Sequence, residues 1–237
     1  GGKMTIVLNG TTGITTPTTS TTGEFVTSVT GFKNRILNGG MVLDQRNAGA
    51  SVTIGSATAT YTLDRWLAYG SAGSAISVQK STSAPTGFTN SLLVTSLAAT
   101  SISSADTYWV RQYIEGYNVA DLSWGTANAK TITVSFWVRS SLTGTFGGAL
   151  RNSAANRSYP FTYTISSADT WEQKSVTVAG DTTGTWVTDS GAGLTVMFGL
   201  GVGSTYSGTA GAWSATNYNS ATGATSVVGT SGATFYI

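Results

Sequence analysis

Residues 108–139 read YWVRQYIEGYNVADLSWGTANAKTITVSFWVR, and their alternation decides the fold. In the first run Tyr108, Val110, Gln112 and Ile114 point one way, while Trp109, Arg111, Tyr113 and Glu115 point the other. In the second, Ile132, Val134, Phe136 and Val138 form an unbroken apolar row opposite Thr131, Thr133, Ser135, Trp137 and Arg139. A side-chain period of two belongs to strands with one buried face. A compact turn region joins the runs, so the expectation is a core strand pair.

Working outward, residues 61–69 (YTLDRWLAY) combine aromatic and charged residues, with Trp66 as the first large core residue. Further strands are expected at 75–79, 91–96, 145–151, 158–165 and 171–178. Leu194, Val196, Phe198, Leu200 and Val202 make another apolar row, backed by Thr195, Met197, Gly199 and Gly201. Small residues on that second face imply close approach by something else. Residues 204–230 are loop-like and rich in Gly, Ser, Thr and Asn, and residues 233–237 stop in mid-strand, which reads as a fragment of a longer chain.

Towards the start, an apolar run at residues 5–8 ends in the turn-forming pair Asn9 and Gly10. Residues 11–23 are almost entirely Thr, Ser and Gly with Pro17, an extended leader unable to form a core, and a second apolar run follows at 25–29. No stretch sustains a helical period. The fold expected is all-β: a two-sheet jelly-roll sandwich over residues 34–237, preceded by an extended N-terminal leader over residues 1–33 that serves oligomerisation or attachment.

Composition narrows the function. Charged residues make up 9% of the 237, so hydroxyls and amides carry the surface. Twelve basic against ten acidic residues, with no Lys/Arg cluster, give no argument for nucleic acid. No run of apolar residues is long enough for a membrane helix and no signal peptide is visible, so no membrane insertion is expected. The absence of Cys and His excludes disulfides, thiolate catalysis, Cys/His zinc sites and a His-based triad.

Three segments resemble known proteins. Residues 34–45, NRILNGGMVLDQ, are similar to the opening strand of jelly-roll carbohydrate-binding modules of families 4, 9 and 22, with Met41 where an aromatic usually stands. QYIEG, SFWVR, TWEQKSVTV and the closing TFYI resemble their later strands. The series NRILNGGM, DQR, DRW, IEG, WGTA, SFWVRSS, RSY, TWE and GDTTGTW is also similar, in this order, to domains of bacteriophage tail fibres and other virion appendages. What the resemblance implies is a non-enzymatic structural protein of the virion, assembled in the host cytoplasm. It would be a homotrimer in contact with other virion proteins and with a host-surface glycan. A capsid head fibre or decoration protein, and a carbohydrate-binding module of a larger hydrolase, are the alternatives.

Sugar-binding jelly rolls stack saccharide C–H faces on aromatic rings. The loop-borne candidates are Tyr117, Trp124, Tyr206, Trp213 and Tyr218, with Asn118, Asn128, Asn217 and Asn219 beside them. The competing reading is that these rings fill the sandwich ends or a subunit interface. Trp66, Trp109, Trp137 and Trp171 lie in strand patterns and are expected in the core. Arg65, Arg111, Glu115, Arg139 and Arg151 sit in half-apolar strands, and some of them are expected to form ion pairs that set strand register. Glycoside hydrolysis needs two carboxyls roughly 5–10 Å apart, and nothing in the spacing of Asp44, Asp64, Glu115 and Asp121 selects a pair. No cofactor is expected. The resemblance implies at most a structural calcium, on acids such as Asp44 and Asp64 with backbone carbonyls.

Overall fold

The computed structural model describes residues 7–9, 13–15, 34–72 and 75–237. The chain divides into two units, Gly1–Asn34 and Arg35–Ile237. In the first, strands β1 (Val7–Asn9) and β2 (Gly13–Thr15) pair antiparallel with Leu8 opposite Ile14. The remainder of the expected leader, including the apolar run at 25–29, lies outside the described residues.

The second unit contains β3 (Val52–Thr53), β4 (Thr60–Tyr61), β5 (Trp66–Gly70), β6 (Ile76–Ser81), β7 (Ser91–Ser96), β8 (Thr107–Glu115) and β9 (Ile132–Ser140). It continues with β10 (Gly144–Arg151), β11 (Ser158–Ile165), β12 (Glu172–Val178), β13 (Ala192–Val202), β14 (Ser207–Gly208), β15 (Ser220–Ala221) and β16 (Thr234–Tyr236). Two six-stranded antiparallel sheets form the jelly-roll sandwich. The front sheet runs β11-β10-β13-β8-β5-β4 and the back sheet β12-β9-β16-β7-β6-β3.

The inner rows meet as the alternation requires. Tyr108, Val110 and Ile114 of the front sheet and Val138, Val94 and Phe235 of the back sheet are buried in one core. Phe136 of β9 reaches across, its ring edge-on to Tyr163 and Phe198 at 5.0 Å from each. Burying each such side chain contributes about 2 kcal/mol, so the facing rows hold the sheets together.

The quoted stretch is not a strand pair. β8 pairs with β5 and β13, whereas β9 pairs with β12 and β16 in the opposite sheet. Alternation reports which face of a strand is buried but not which sheet it joins. The connection at 116–131, with 3-10 turns at Gly116–Asn118 and Ala120–Leu122, is too long for a tight hairpin and carries the chain over the end of the sandwich.

The segment expected to be an opening strand is also different. Residues 34–51 contain no strand; they run through two turns, with Asn38 and Met41 in the left-handed region. Side chains replace a neighbouring strand here. Gln112, fully buried on β8, accepts from Leu37 N–H and donates to the Leu37 carbonyl, both at 2.8 Å. Asn38 brackets the turn through Leu43 N–H, the Leu43 carbonyl and the Asp64 carbonyl, and Met41 drops into the core.

Gln112→Leu keeps the volume but strands both Leu37 backbone groups. It should lower stability in urea by about 1–2 kcal/mol; an unchanged midpoint would show that water replaces both bonds.

Candidate functional site

The outer face of the front sheet holds the most unusual arrangement of side chains. Antiparallel pairing sets Tyr69 opposite Trp109 and Leu67 opposite Arg111. The odd-numbered residues of β8 therefore point away from the core. The Tyr69 and Trp109 rings stack 5.1 Å apart at 11°. The Arg111 guanidinium lies 3.9 Å from the Trp109 centroid and 4.5 Å from that of Tyr113. Tyr69, Trp109, Arg111 and Tyr113 thus form a ladder of planar groups over a floor of Leu67 and Met197. A guanidinium is flat and weakly hydrated, so it fits in a ring stack where an ammonium would not.

Beside the ladder, Arg151 of β10 lies opposite Thr195 of β13, itself opposite Tyr113. Arg151 is only 9% exposed. Its Nη1 donates to Asn219 Oδ1 at 2.9 Å and to Asn217 Oδ1, and Asn219 Nδ2 donates onward to Thr107 Oγ1 at 3.2 Å. These amides pin the late loop to the sheet, where β15 crosses Gly147 and Gly199. A Cβ at either glycine would fall within 2.7 Å of Ser220 Oγ, which is the close approach implied by the small residues of that face.

Burial lowers the Arg111 guanidinium to about 10, with nearby Arg151 adding to the effect and Tyr113 opposing it. Burial likewise lowers Arg151, again against Tyr113. Both remain cationic at neutral pH. Of the register-setting ion pairs expected, two are present: Arg65 with Glu115, and Arg139 with Asp169 at 3.2 Å. Arg111 and Arg151 have no carboxylate partner among the described residues, because the only acid on the outward side of β8, Glu115, is held by Arg65.

The aromatics singled out from the loops fall in three places. Tyr117 is 69% exposed on the first 3-10 turn. Trp124 and Trp213 come together with Trp186, ring edges against faces at 4.7–5.3 Å. Their indole N–H groups donate to the carbonyls of Lys130, Ala179 and Thr183, and Trp124 is 7% exposed. Trp124 therefore offers no open ring face. Tyr206 and Tyr218 are half-buried in the late loop, where Asn219 N–H donates to the Tyr206 carbonyl at 2.7 Å and Tyr218 N–H to Ser158 Oγ at 3.2 Å. The Tyr218 ring lies on Gly208, where a Cβ would approach it to 2.3 Å.

The tryptophan cluster is tied by one ion pair. Arg157 Nε and Nη2 bind Asp181 Oδ2 and Oδ1 at 2.7 and 2.6 Å. Asp181 also accepts from Thr183 N–H and Oγ1–H, and its carbonyl accepts from Gly125 N–H at 2.7 Å.

The ladder residues escaped the sequence reading because Trp109 was placed in the core and the arginines in ion pairs. The alternation Trp109, Arg111, Tyr113 on one face of β8 was the available signal. The acids named for catalysis or calcium are each engaged. Asp44 accepts from the N–H groups of Asn47 and Gly49, and Asp64 from that of Gln45. Asp121 binds Arg35 at 2.7 Å. Calcium takes six to eight oxygens, and no group of three acidic or other metal-ligating side chains assembles among the described residues. Asp44 and Asp64 serve a turn and do not fit the ion.

No family model and no curated protein matches the chain. Among solved structures, the enzymatically active domain of bacteriophage CBA120 tailspike protein 4 is 11% identical, with a TM-score of 0.42, covering 86% of this chain and 20% of that one. A family 4 carbohydrate-binding module is 17% identical, with a TM-score of 0.35 over 73% of this chain and 89% of its own. The CBM22-1–GH10 modules of Clostridium thermocellum endo-1,4-beta-D-xylanase 10B, complexed with xylohexaose, are 14% identical at 0.35, over 63% and 25%. Similarity at this level carries no argument about ligand or activity.

Asp181→Ala should cost about 3 kcal/mol by leaving Arg157 unpaired. Burial raises the Asp181 carboxyl, but the bonds from Arg157 and Thr183 outweigh it and hold the group below its ordinary 3.8. A depressed carboxylate contributes stability that is full above the ordinary value and is lost as pH falls through the folded one. Chemical denaturation from pH 7 downwards should show stability falling below about pH 4, less steeply in Asp181→Asn; equal slopes would refute the assignment.

Proposed function

We propose that this chain is the adhesive part of a bacteriophage virion appendage, a tail-fibre component that presents its β-sandwich to a host-surface glycan. The observation that carries the reading is the outward ladder of Tyr69, Trp109, Arg111 and Tyr113. Pyranose rings are recognised by aromatic surface together with fixed amides and hydroxyls. Here the half-buried rings of Tyr69 and Tyr113 end the ladder, and the late-loop amides Asn217 and Asn219 stand at its side. Tyr206 and Tyr218 belong to the same loop, while Tyr117 is a separate exposed ring.

The phage assignment is supported by the ordered motif series in the sequence. In this reading residues 1–33 join three copies to one another and to neighbouring virion proteins.

Two measurements test it. Tyr69→Ala and Tyr113→Ala should each lower binding to an array of bacterial surface polysaccharides about tenfold, while melting within a few degrees of the parent; unchanged binding defeats the glycan reading. Light scattering at micromolar concentration should return the mass of three chains, and a monomer defeats the assembly.

A further inference from the structure

The arginines of the second unit divide by location. Arg35, Arg65, Arg139 and Arg157 each bind a carboxylate. Arg46, Arg111 and Arg151 bind none among the described residues, and all three lie on the outer side of the front sheet. Arg46 sits 5.4 Å from the centroid of Tyr61, whose strand position is opposite Leu67 and so continues the row of Arg111.

Unsatisfied polar atoms concentrate on the same face. Among the described residues six buried side-chain N or O atoms lack a partner, and four of them, Arg111 Nε, Arg151 Nε, Thr195 Oγ1 and Ser220 Oγ, are here; Arg139 Nε and Tyr163 Oη lie elsewhere. A buried guanidinium with an idle N–H is costly. Three arginines on one aromatic face, none with a carboxylate partner among the described residues, are suited to an anionic ligand. Charge-assisted bonds to a carboxylate or sulfate are about twice as strong as neutral ones.

Building on the glycan reading above, we propose that this face selects an acidic saccharide, its anionic oxygens taken by Arg111 and Arg151, with Arg46 at the rim beside Tyr61. Arg111 is held flat between Trp109 and Tyr113, and Arg151 by Asn217 and Asn219, so both are oriented before the ligand arrives. The sulfate and carboxylate classes share this chemistry and are separated by the choice of probe.

The test uses the full chain and three hexasaccharides: hexagalacturonate, its full methyl ester and a heparin-derived hexasaccharide. Affinity is read by calorimetry and contact by the NMR signals of the arginine Nε–H groups. At least one anionic probe should bind ten or more times tighter than the ester, shift the Arg111 and Arg151 signals and weaken as NaCl rises from 50 to 500 mM. Hexagalacturonate alone would identify a carboxylate, heparin alone a sulfate.

Arg111→Met should remove the preference for the anionic probe over the ester. Arg46→Met, on a rim that needs no refolding, should reduce the preference several-fold and guards against an Arg111 variant that fails to fold. Equal affinity for acid and ester overturns acid selection and leaves the glycan reading standing. Failure of both anionic probes to move the Nε–H signals at millimolar concentration overturns the inference as well.

Discussion

The end of the sandwich where the chain passes between sheets depends on the Arg157–Asp181 ion pair. Asp181 is 2% exposed, and its carboxylate takes four hydrogen bonds while its carbonyl takes a fifth from Gly125. A buried pair of this kind roughly breaks even against desolvation. Its consequence is positional: it brings residues 124–130, 157–159 and 180–186 to one point, where Trp124, Trp186 and Trp213 lock edge to face. Gly125 and Gly184 hold positive φ there, and a Cβ would in addition strike the Gly184 carbonyl or the Arg157 stem, so both positions require glycine. WGTA, RSY and GDTTGTW are these same segments. Part of the resemblance to virion appendages therefore records how the sandwich is closed and not what it binds.

The strands were legible because burial on one face imposes a period of two. Ser91–Ser96 and Ser158–Ile165 have the boundaries read from alternation, and β8, β9, β10, β12 and β13 deviate by a residue or two. Partnership was less legible. β8 and β9 show matching apolar rows because each turns that row into the shared core from its own sheet, and a row facing across a sandwich looks the same in sequence as one lying beside its neighbour. Residues 34–51 misled differently. Their backbone is satisfied by the Gln112 and Asn38 side chains, and such pairing over 75 positions leaves no periodic trace.

The site was hidden by a rule that is right on average. A tryptophan in an alternating strand is usually core, and Trp109 is 4% exposed. It is covered by Tyr69, Arg111, Leu67 and Met197 on the outside of the sheet and not by the opposite sheet. The loop aromatics were the natural suspects, yet Trp124 and Trp213 lie in the cluster at the closed end. Tyr206 and Tyr218 are placed by a loop that the amides Asn217 and Asn219 fasten to Arg151.

Arg157 and Arg111 show how one residue type is used in two ways by the same fold. Both lie flat against neighbours and both are partly removed from water. Arg157 is raised above its ordinary value by its bonds to Asp181, which outweigh desolvation; Arg111 is lowered by burial, with Tyr113 opposing and Arg151 adding to it. An ion pair supplies its own counter-charge and completes a structure. A guanidinium between two rings has its faces covered but no counter-charge beside it, so stacking alone fixes its orientation without neutralising it. Had the role of Arg111 been packing, an apolar side chain between Trp109 and Tyr113 would have done it without the desolvation cost. Retaining the charge makes sense where the missing counter-charge arrives with a ligand.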